Sequence, residues 1–289
     1  MAFPKNIDLA LPFLKMDGLG NDFVVFDGRL NGFSPTEKFL RAVADRKRGI
    51  GCDQVIVLRR PESPQADVHM DIYNRDGSQV GACGNATRCI ASLMFAELER
   101  NNCIIETIAG FLKAWEDPSG LIAVDFGAPR FVWNEIPLAR EVDTLHVPVA
   151  YGGLEDPCCV NVGNPHAVFF VPDVDAVNLM EVGPRLENDP MFPERCNIEI
   201  AQILASDRIR MRVWERGTGI TEACGSGSCA TLVAAVRRNL SARRATVVLD
   251  GGELVIEWRD DNHILMIGPA SLDYRGVVAE DIGDEERVA

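Results

Sequence analysis

Six landmarks occur twice in this chain, in the same order and at a nearly constant offset. G-N-D-F-V-V-F from Gly20 to Phe26 is echoed by G-N-P-H-A-V-F from Gly163 to Phe169, 143 residues on. Gln54 and Asn197 hold the same offset, and N-R-D-G-S from Asn74 lines up with E-R-G-T-G from Glu215 at 141. A-C-G-N from Ala82 matches A-C-G-S from Ala223, also at 141; Gly110 and Gly252 lie 142 apart, Gly127 and Gly268 141. One short glycine-containing match is trivial, but a collinear series is the mark of an internal repeat. The chain is read as two similar halves, roughly 13–131 and 155–274, joined through the Pro- and Gly-containing stretch Pro137 to Gly153.

Each half has the same coarse content. β-Branched and aromatic runs predict strands at Phe23–Phe26, Val55–Leu58, Val68–Tyr73, Ile104–Thr107 and Ile122–Phe126 in the first. In the second they fall at Ala167–Val171, Ile198–Leu204, Ile209–Trp214, Thr246–Leu249, Leu254–Trp258 and Ile264–Ile267. One clear helix follows each Cys-Gly pair. The first is expected over about Ala86 to Arg100, with Cys89, Ile90, Leu93, Met94 and Leu98 at helical spacing. The second is expected over about Gly227 to Asn239; its Ala230 to Val236 run is apolar almost all round, which predicts a helix enclosed by its strands. The fold class is mixed α and β (α+β), a strand-rich shell around one central helix per half.

Composition removes several function classes. A formal net charge of −14 over 289 residues argues against nucleic acid or an anionic membrane as main partner, since both need a basic face. The one basic cluster, Arg41 to Arg48, is on a helix-like stretch and reads as a solvated face. There is no apolar run of 18 residues, and the start, MAFPKNIDLALPF, places Pro and Asp where a secretory segment needs apolar residues. A cytoplasmic protein is expected. Nine cysteines, an odd number without a CxxC, then read as free thiols, and four histidines give weak support to a structural zinc site.

The two Cys-Gly turns are where chemistry is expected. Asn85 and Ser226 stand at equivalent positions, and both are favoured N-cap residues, so each helix should begin just after its Cys-Gly. Cys83 and Cys224 then face exposed backbone N–H groups and the positive end of a helix dipole, which favours a thiolate and makes an anion site. One such turn is more often packing than catalysis. Two, one per half, suggest a substrate held between the halves with an acid on one face of a carbon and a base on the other, as inversion of a stereocentre requires. One thiol should be charged while the other holds its proton. Cys89 and Cys229, inside the helices, read as core, as do Cys52, Cys103, Cys158, Cys159 and Cys196.

These strings resemble the diaminopimelate epimerase family: G-L-G-N-D-F at Gly18, G-C-D-Q at Gly51, N-R-D-G-S at Asn74 and A-C-G-N-A-T-R-C at Ala82. G-N-P-H at Gly163, R-C-N-I at Arg195, E-R-G-T-G at Glu215 and A-C-G-S-G-S-C-A at Ala223 follow in the second half. The resemblance spans nearly the whole chain. It implies two pseudosymmetric lobes, each a strand-rich barrel around a central helix, with the last strand of each repeat exchanged. The lobes are then 1–130 plus a C-terminal strand at about 270–289, carrying Cys83, and 131–269, carrying Cys224. It implies interconversion of LL- and meso-diaminopimelate, towards lysine and cell-wall precursors, with no cofactor and no metal, and it suggests a homodimer.

By the same resemblance Cys83 and Cys224 are the proton-transfer pair. Gly84, Asn85, Gly225 and Ser226 hold the reacting carboxylate through backbone groups, and Asn21, Gln54, Asn74, Asn164, Asn197, Glu215 and Arg216 bind the rest of the substrate. His166 and Glu215 influence the thiol pKa values. Physically, Arg216 suits the far carboxylate through paired N–H groups and Glu215 the far ammonium. The chain departs from the family's pattern at Ala86-Thr87-Arg88, where Gly-Ala-Arg is common, at Ile220, where an acid is common, and at Ser226, where Thr is common; Ser226 keeps the hydroxyl and the backbone N–H. Three other readings stay open on the residues alone: a racemase of the same fold acting on proline, hydroxyproline or histidine, a cysteine hydrolase with His166 as base, and a non-catalytic binder. Facing thiols would also permit an oxidised Cys83–Cys224 form.

Overall fold

The computed structural model describes residues 10–81 and 83–283. Ala82 and the outer ends of the expected N-terminal lobe, residues 1–9 and 284–289, lie outside the described residues. The chain forms two compact units, Met1–Ile122 with Pro269–Ala289, and Ala123–Gly268.

The first unit runs β1 (Ala10–Asp17), β2 (Asp22–Asp27), α1 (Glu37–Ala44), β3 (Gln54–Arg59), β4 (Val68–Asn74), β5 (Gln79–Val80), α2 (Gly84–Leu98), β6 (Asn102–Thr107) and β7 (Gly110–Glu116). β1 is antiparallel to β2, β2 parallel to β3, and β3 antiparallel to β4. β4 is parallel to β6, and β6 is antiparallel to β7. The last strand of the chain, Ser271–Ala279, runs antiparallel along β1 from Ala10↔Ala279 to Asp17↔Ser271. Burying Phe26 against Phe33 and Phe39, with ring centroids 5.4 and 5.5 Å away, joins α1 to this sheet.

The second unit begins in β8 (Ile122–Asp125) and continues through the hairpin β9 (Ala150–Tyr151) and β10 (Leu154–Glu155). Then come β11 (Cys158–Asn161), β12 (Pro165–Phe170), α3 (Leu179–Glu187), β13 (Asn197–Ala205), β14 (Arg208–Glu215) and β15 (Gly219–Thr221). α4 (Gly225–Arg237), β16 (Arg244–Leu249), β17 (Gly252–Trp258) and β18 (Ile264–Gly268) complete it, with β8 pairing to β18. The pairing sense repeats the first unit: β11–β12 antiparallel, β12–β13 parallel, β13–β14 antiparallel, β14–β16 parallel, β16–β17 antiparallel. α4 packs against β11, β12, β13, β14, β16, β17 and β18, and its residues from Gly227 to Ala235 are buried. The all-round apolar run Ala230 to Val236 thus threads the centre of its strands, as its pattern predicts.

Four expectations change. Both central helices start two residues earlier than read, at Gly84 and Gly225, because the cysteine itself is the N-cap in extended conformation (φ −147° at Cys83, −120° at Cys224). α1 and α3 add helices beyond the one per half; α3 carries Gly183 and Pro184, which mask its pattern. Strands β1 and β7 are additional to the residue-pattern set, and Ser271–Ala279, expected at about 270–289 from the resemblance alone, exposes most of its side chains, so no apolar alternation marks it. The Arg41–Arg48 cluster is solvated, as read, but does not lie on one helix: α1 stops at Ala44, and the exposed Arg46 bonds Asp22 and Asp53 at 2.8 Å.

Candidate active site

The repeated pairing scheme decides where polar residues collect. Parallel β2 and β3 begin together, Phe23 opposite Gln54, and antiparallel β4 ends there, Asn74 opposite Gln54. α2 then starts from Cys83. In the second unit β12 and β13 begin together, His166 opposite Asn197, and β14 ends beside them at Glu215 before α4 starts from Cys224. Each unit so gathers one strand edge and one helix N-terminus.

In the first unit, Asn21 closes the turn between β1 and β2. Its Oδ1 accepts from Asn85 Nδ2 (3.4 Å) and from the Cys83 thiol (3.8 Å), and its Nδ2 donates to Asp53 Oδ2 (3.2 Å). Gln54 Nε2 donates to Asn74 Oδ1 (3.1 Å), and Asn74 Nδ2 donates to Ser78 Oγ (3.1 Å). Asn85, expected as a cap, is the second helical residue instead; its Oδ1 accepts from Arg88 Nη1 at 3.0 Å. Arg88 is wholly buried and also donates to Pro269 O and Gly18 O, tying the turn, the helix and the last strand together.

Two carboxylates underpin this loop. Asp22 accepts from Lys15 Nζ at 2.6 Å, from both Arg46 nitrogens at 2.9 and 2.8 Å, and from the backbone N–H of Asp53. Burial opposes its charge, but the Arg46 and Lys15 hydrogen bonds hold its carboxyl down at about 2.

In the second unit, His166 is wholly buried between two partners. Its Nδ1 lies 2.6 Å from Glu199 Oε1, and its Nε2 lies 2.8 Å from Asn164 Oδ1. Asn197 donates to Pro165 O (2.9 Å) and accepts from the backbone N–H of Arg216 (2.9 Å). Glu215 accepts from the Thr221 hydroxyl, and Arg216 Nη1 donates to Glu194 O (3.2 Å). Ser226, like Asn85, lies one residue inside the helix, with its Oγ 3.6 Å from Cys224 Sγ.

Cys224 departs from the expected depressed thiol. Its sulfur accepts the backbone N–H of Gly227 at 3.3 Å, as a helix start provides. Burial nevertheless pushes the thiol well up, and the Glu215 and Glu199 carboxylates add to that; together they outweigh Ser226 and Gly227. Glu215 and Glu199 are themselves raised, chiefly by burial. A Cβ on Gly227 would sit 3.0 Å from Glu199 Oε1 and 3.2 Å from Cys224 Sγ, so glycine permits carboxylate, thiol and helix start to meet.

Glu199 is the residue that the sequence reading missed. The signal was present: one charged residue in the otherwise apolar N-I-E-I-A, two positions after Asn197 and so on its face of the strand. Among the described residues, no group of three or more His, Cys, Asp or Glu side chains is placed to hold a metal ion, and no helix is long and apolar enough to cross a membrane.

A duplicated strand shell with one cysteine-capped helix per unit is a fold that this chain shares with solved proteins. It superposes on a probable proline racemase from Agrobacterium radiobacter K84 with a TM-score of 0.70 at 14% identity, covering 95% of this chain and 94% of that one. The diaminopimelate epimerase family model matches residues 13–132 and 158–272. The chain is 55% identical over 270 residues to the diaminopimelate epimerase of Rhodospirillum centenum, covering 93% of each. It is 52% identical over 269 residues to that of Phenylobacterium zucineum, covering 92% of this chain and 96% of the relative. The protein is an isomerase, and it belongs to the diaminopimelate epimerase family.

Proposed function

We propose that this chain interconverts LL- and meso-2,6-diaminopimelate by moving a proton at one α-carbon, with Cys83 and Cys224 as base and acid. The observation that carries this reading is the repeated Cys-Gly helix start, with the cysteine as N-cap in both units.

The chemistry follows from the charges. A thiolate takes the α-proton, leaving a carbanion whose charge spreads into the adjacent carboxylate. The backbone N–H groups of Gly84, Asn85, Gly225 and Ser226, in the first turns of α2 and α4, suit that carboxylate and strengthen as its charge grows. The other thiol gives its proton to the opposite face of the carbon. After one turnover the thiolate and the thiol have exchanged places, and no proton is gained or lost overall. Cys224, buried beside Glu215 and Glu199, rests as the thiol. Cys83 acts as the base once it gives up the hydrogen that it directs at Asn21 Oδ1.

Specificity falls to the polar groups at the strand edges. Arg216 and Glu215 complement the far carboxylate and ammonium of the substrate, and Asn21, Gln54, Asn74, Asn164 and Asn197 provide donors and acceptors between them. His166 and Glu215 bear on the charge of Cys224. The odd cysteine count without disulfide-like spacing supports a reducing, cytoplasmic setting.

A competition assay tests the substrate. The protein is given LL-diaminopimelate together with L-proline and hydroxyproline, and products are separated on a chiral column. Formation of meso-diaminopimelate alone is expected. Turnover of proline with none of diaminopimelate would replace this substrate with a cyclic one.

A further inference from the structure

We infer that Glu199 is a positioning residue: through His166 it fixes which end of the Asn164 amide is turned towards the substrate. It acts on the substrate-binding edge proposed above.

Glu199 and His166 lie side by side on parallel strands β13 and β12, both wholly buried, on the face that α4 covers. Oε1 of Glu199 and Nδ1 of His166, 2.6 Å apart, share one proton. If the carboxylate is charged, Nδ1 carries the proton and donates it. If the carboxyl holds the proton, it donates to the Nδ1 lone pair. The ring is an imidazolium in the first case and neutral in the second, and in both it keeps a hydrogen on Nε2, as its contact with Asn164 Oδ1, an oxygen that only accepts, requires. Nε2–H then donates to Asn164 Oδ1 at 2.8 Å. The acceptor end of the amide is consumed, and its –NH₂ end is left for a substrate carboxylate. Without the carboxyl at position 199, a neutral His166 can carry its hydrogen on Nδ1 instead. Its Nε2 then becomes an acceptor, the amide turns over, and Asn164 offers an oxygen where a donor is needed.

A purely structural role for Glu199 would ask that both its oxygens be satisfied within the fold. Oε2 is buried and has no hydrogen-bond partner among the described residues. A carboxyl half used, beneath the first turn of α4 and in contact range of Gly227, suits a residue retained for what it does to His166.

Long-range ¹H–¹⁵N correlation spectra of the four histidines test this, since protonated and bare ring nitrogens resonate far apart; a His166→Gln sample assigns the signal. Wild-type protein is expected to show Nε2 of His166 protonated, as the contact with Asn164 Oδ1 requires. Glu199→Gln, whose amide can donate or accept, should show a second tautomer with the proton on Nδ1. Its KM for LL-diaminopimelate should rise about tenfold with kcat within about threefold, the size of one lost hydrogen bond to a charged group. Glu199→Asp should keep the wild-type tautomer. A bare Nε2 in the wild type, an unchanged tautomer in Glu199→Gln, or a raised KM without a tautomer change would each overturn the assignment. The spectra need no turnover, so a wild type inactive on diaminopimelate would sink the proposed function while the tautomers still decide the role of Glu199.

Discussion

The backbone N–H of Gly227 donates to the sulfur of Cys224 across 3.3 Å, so this thiol is the cap of its own helix as well as the proposed acid. The two roles separate by substitution. Cys224→Ser retains a capping oxygen, whereas Cys224→Ala leaves the helix start uncapped and should cost about 1 kcal/mol more in urea unfolding. Both should lower epimerisation by about 10²-fold to 10⁴-fold, because neither side chain can exchange a proton at neutral pH. Equal stabilities with retained activity would show that the sulfur does neither job.

Charge around Cys224 predicts its reactivity. With burial first and Glu215 next holding its thiol above the usual value of 9.0, iodoacetamide labelling of Cys224 should have its pH midpoint above 9. Removing the nearby negative charge favours the thiolate, so Glu215→Gln should move that midpoint down. Peptide mapping by mass spectrometry at stepped pH reads both; a midpoint that rises in the variant would contradict the assignment.

The buried core thiols predict alkaline instability. Burial pushes Cys52, Cys89 and Cys103 up to about 12 from 9.0. Below pH 9 these thiols are protonated in folded and unfolded chains alike, and folding carries no penalty. Between 9 and about 12 only the unfolded chain ionises, so stability should fall by about 1.4 kcal/mol per pH unit for each thiol. Thermal unfolding from pH 8 to 11 should show a steepening loss of Tm, lessened in Cys103→Ala relative to its own value at pH 8. A flat profile would count against it.

At the acid end, Asp22 is the sensitive group. Its carboxyl, held at about 2 by Arg46 and Lys15, gives stability that is complete above its ordinary pKa of 3.8 and is lost as pH falls through 2. Asp22→Asn should cost about 3 kcal/mol at neutral pH, because Lys15 stays buried with the Gly51 carbonyl but without a counter-charge. The loop carrying Asn21 should loosen with it. Urea unfolding and hydrogen exchange of residues 18–23 check this; a change under about 0.5 kcal/mol would mean that Lys15 finds water instead.

Much of this was legible in the sequence for physical reasons. Collinear landmarks gave the duplication, and an apolar run with no polar side predicted the enclosed α4. The start of each helix was misplaced because cysteine is not a usual cap: Cys83 and Cys224 adopt the extended cap geometry, and Asn85 and Ser226 move inside. The strand Ser271–Ala279 was expected from the resemblance alone and not from its residues, because mainly backbone pairing to β1 places it, with few buried side chains to leave a pattern. The raised Cys224 thiol could not be read either. Helix polarity is local and visible in sequence, while desolvation and the approach of Glu199 from a strand 25 residues earlier belong to the fold.

Proton NMR of LL-diaminopimelate in deuterated water tests the central claim most directly, using reduced, chelator-treated protein with no pyridoxal phosphate added. Loss of the α-proton signal, with the meso isomer appearing, is the predicted result, and it should slow by about 10²-fold to 10⁴-fold in Cys83→Ala and Cys224→Ala. An unchanged spectrum from folded, reduced protein would contradict the assignment of Cys83 and Cys224 as a proton-transfer pair acting on this substrate.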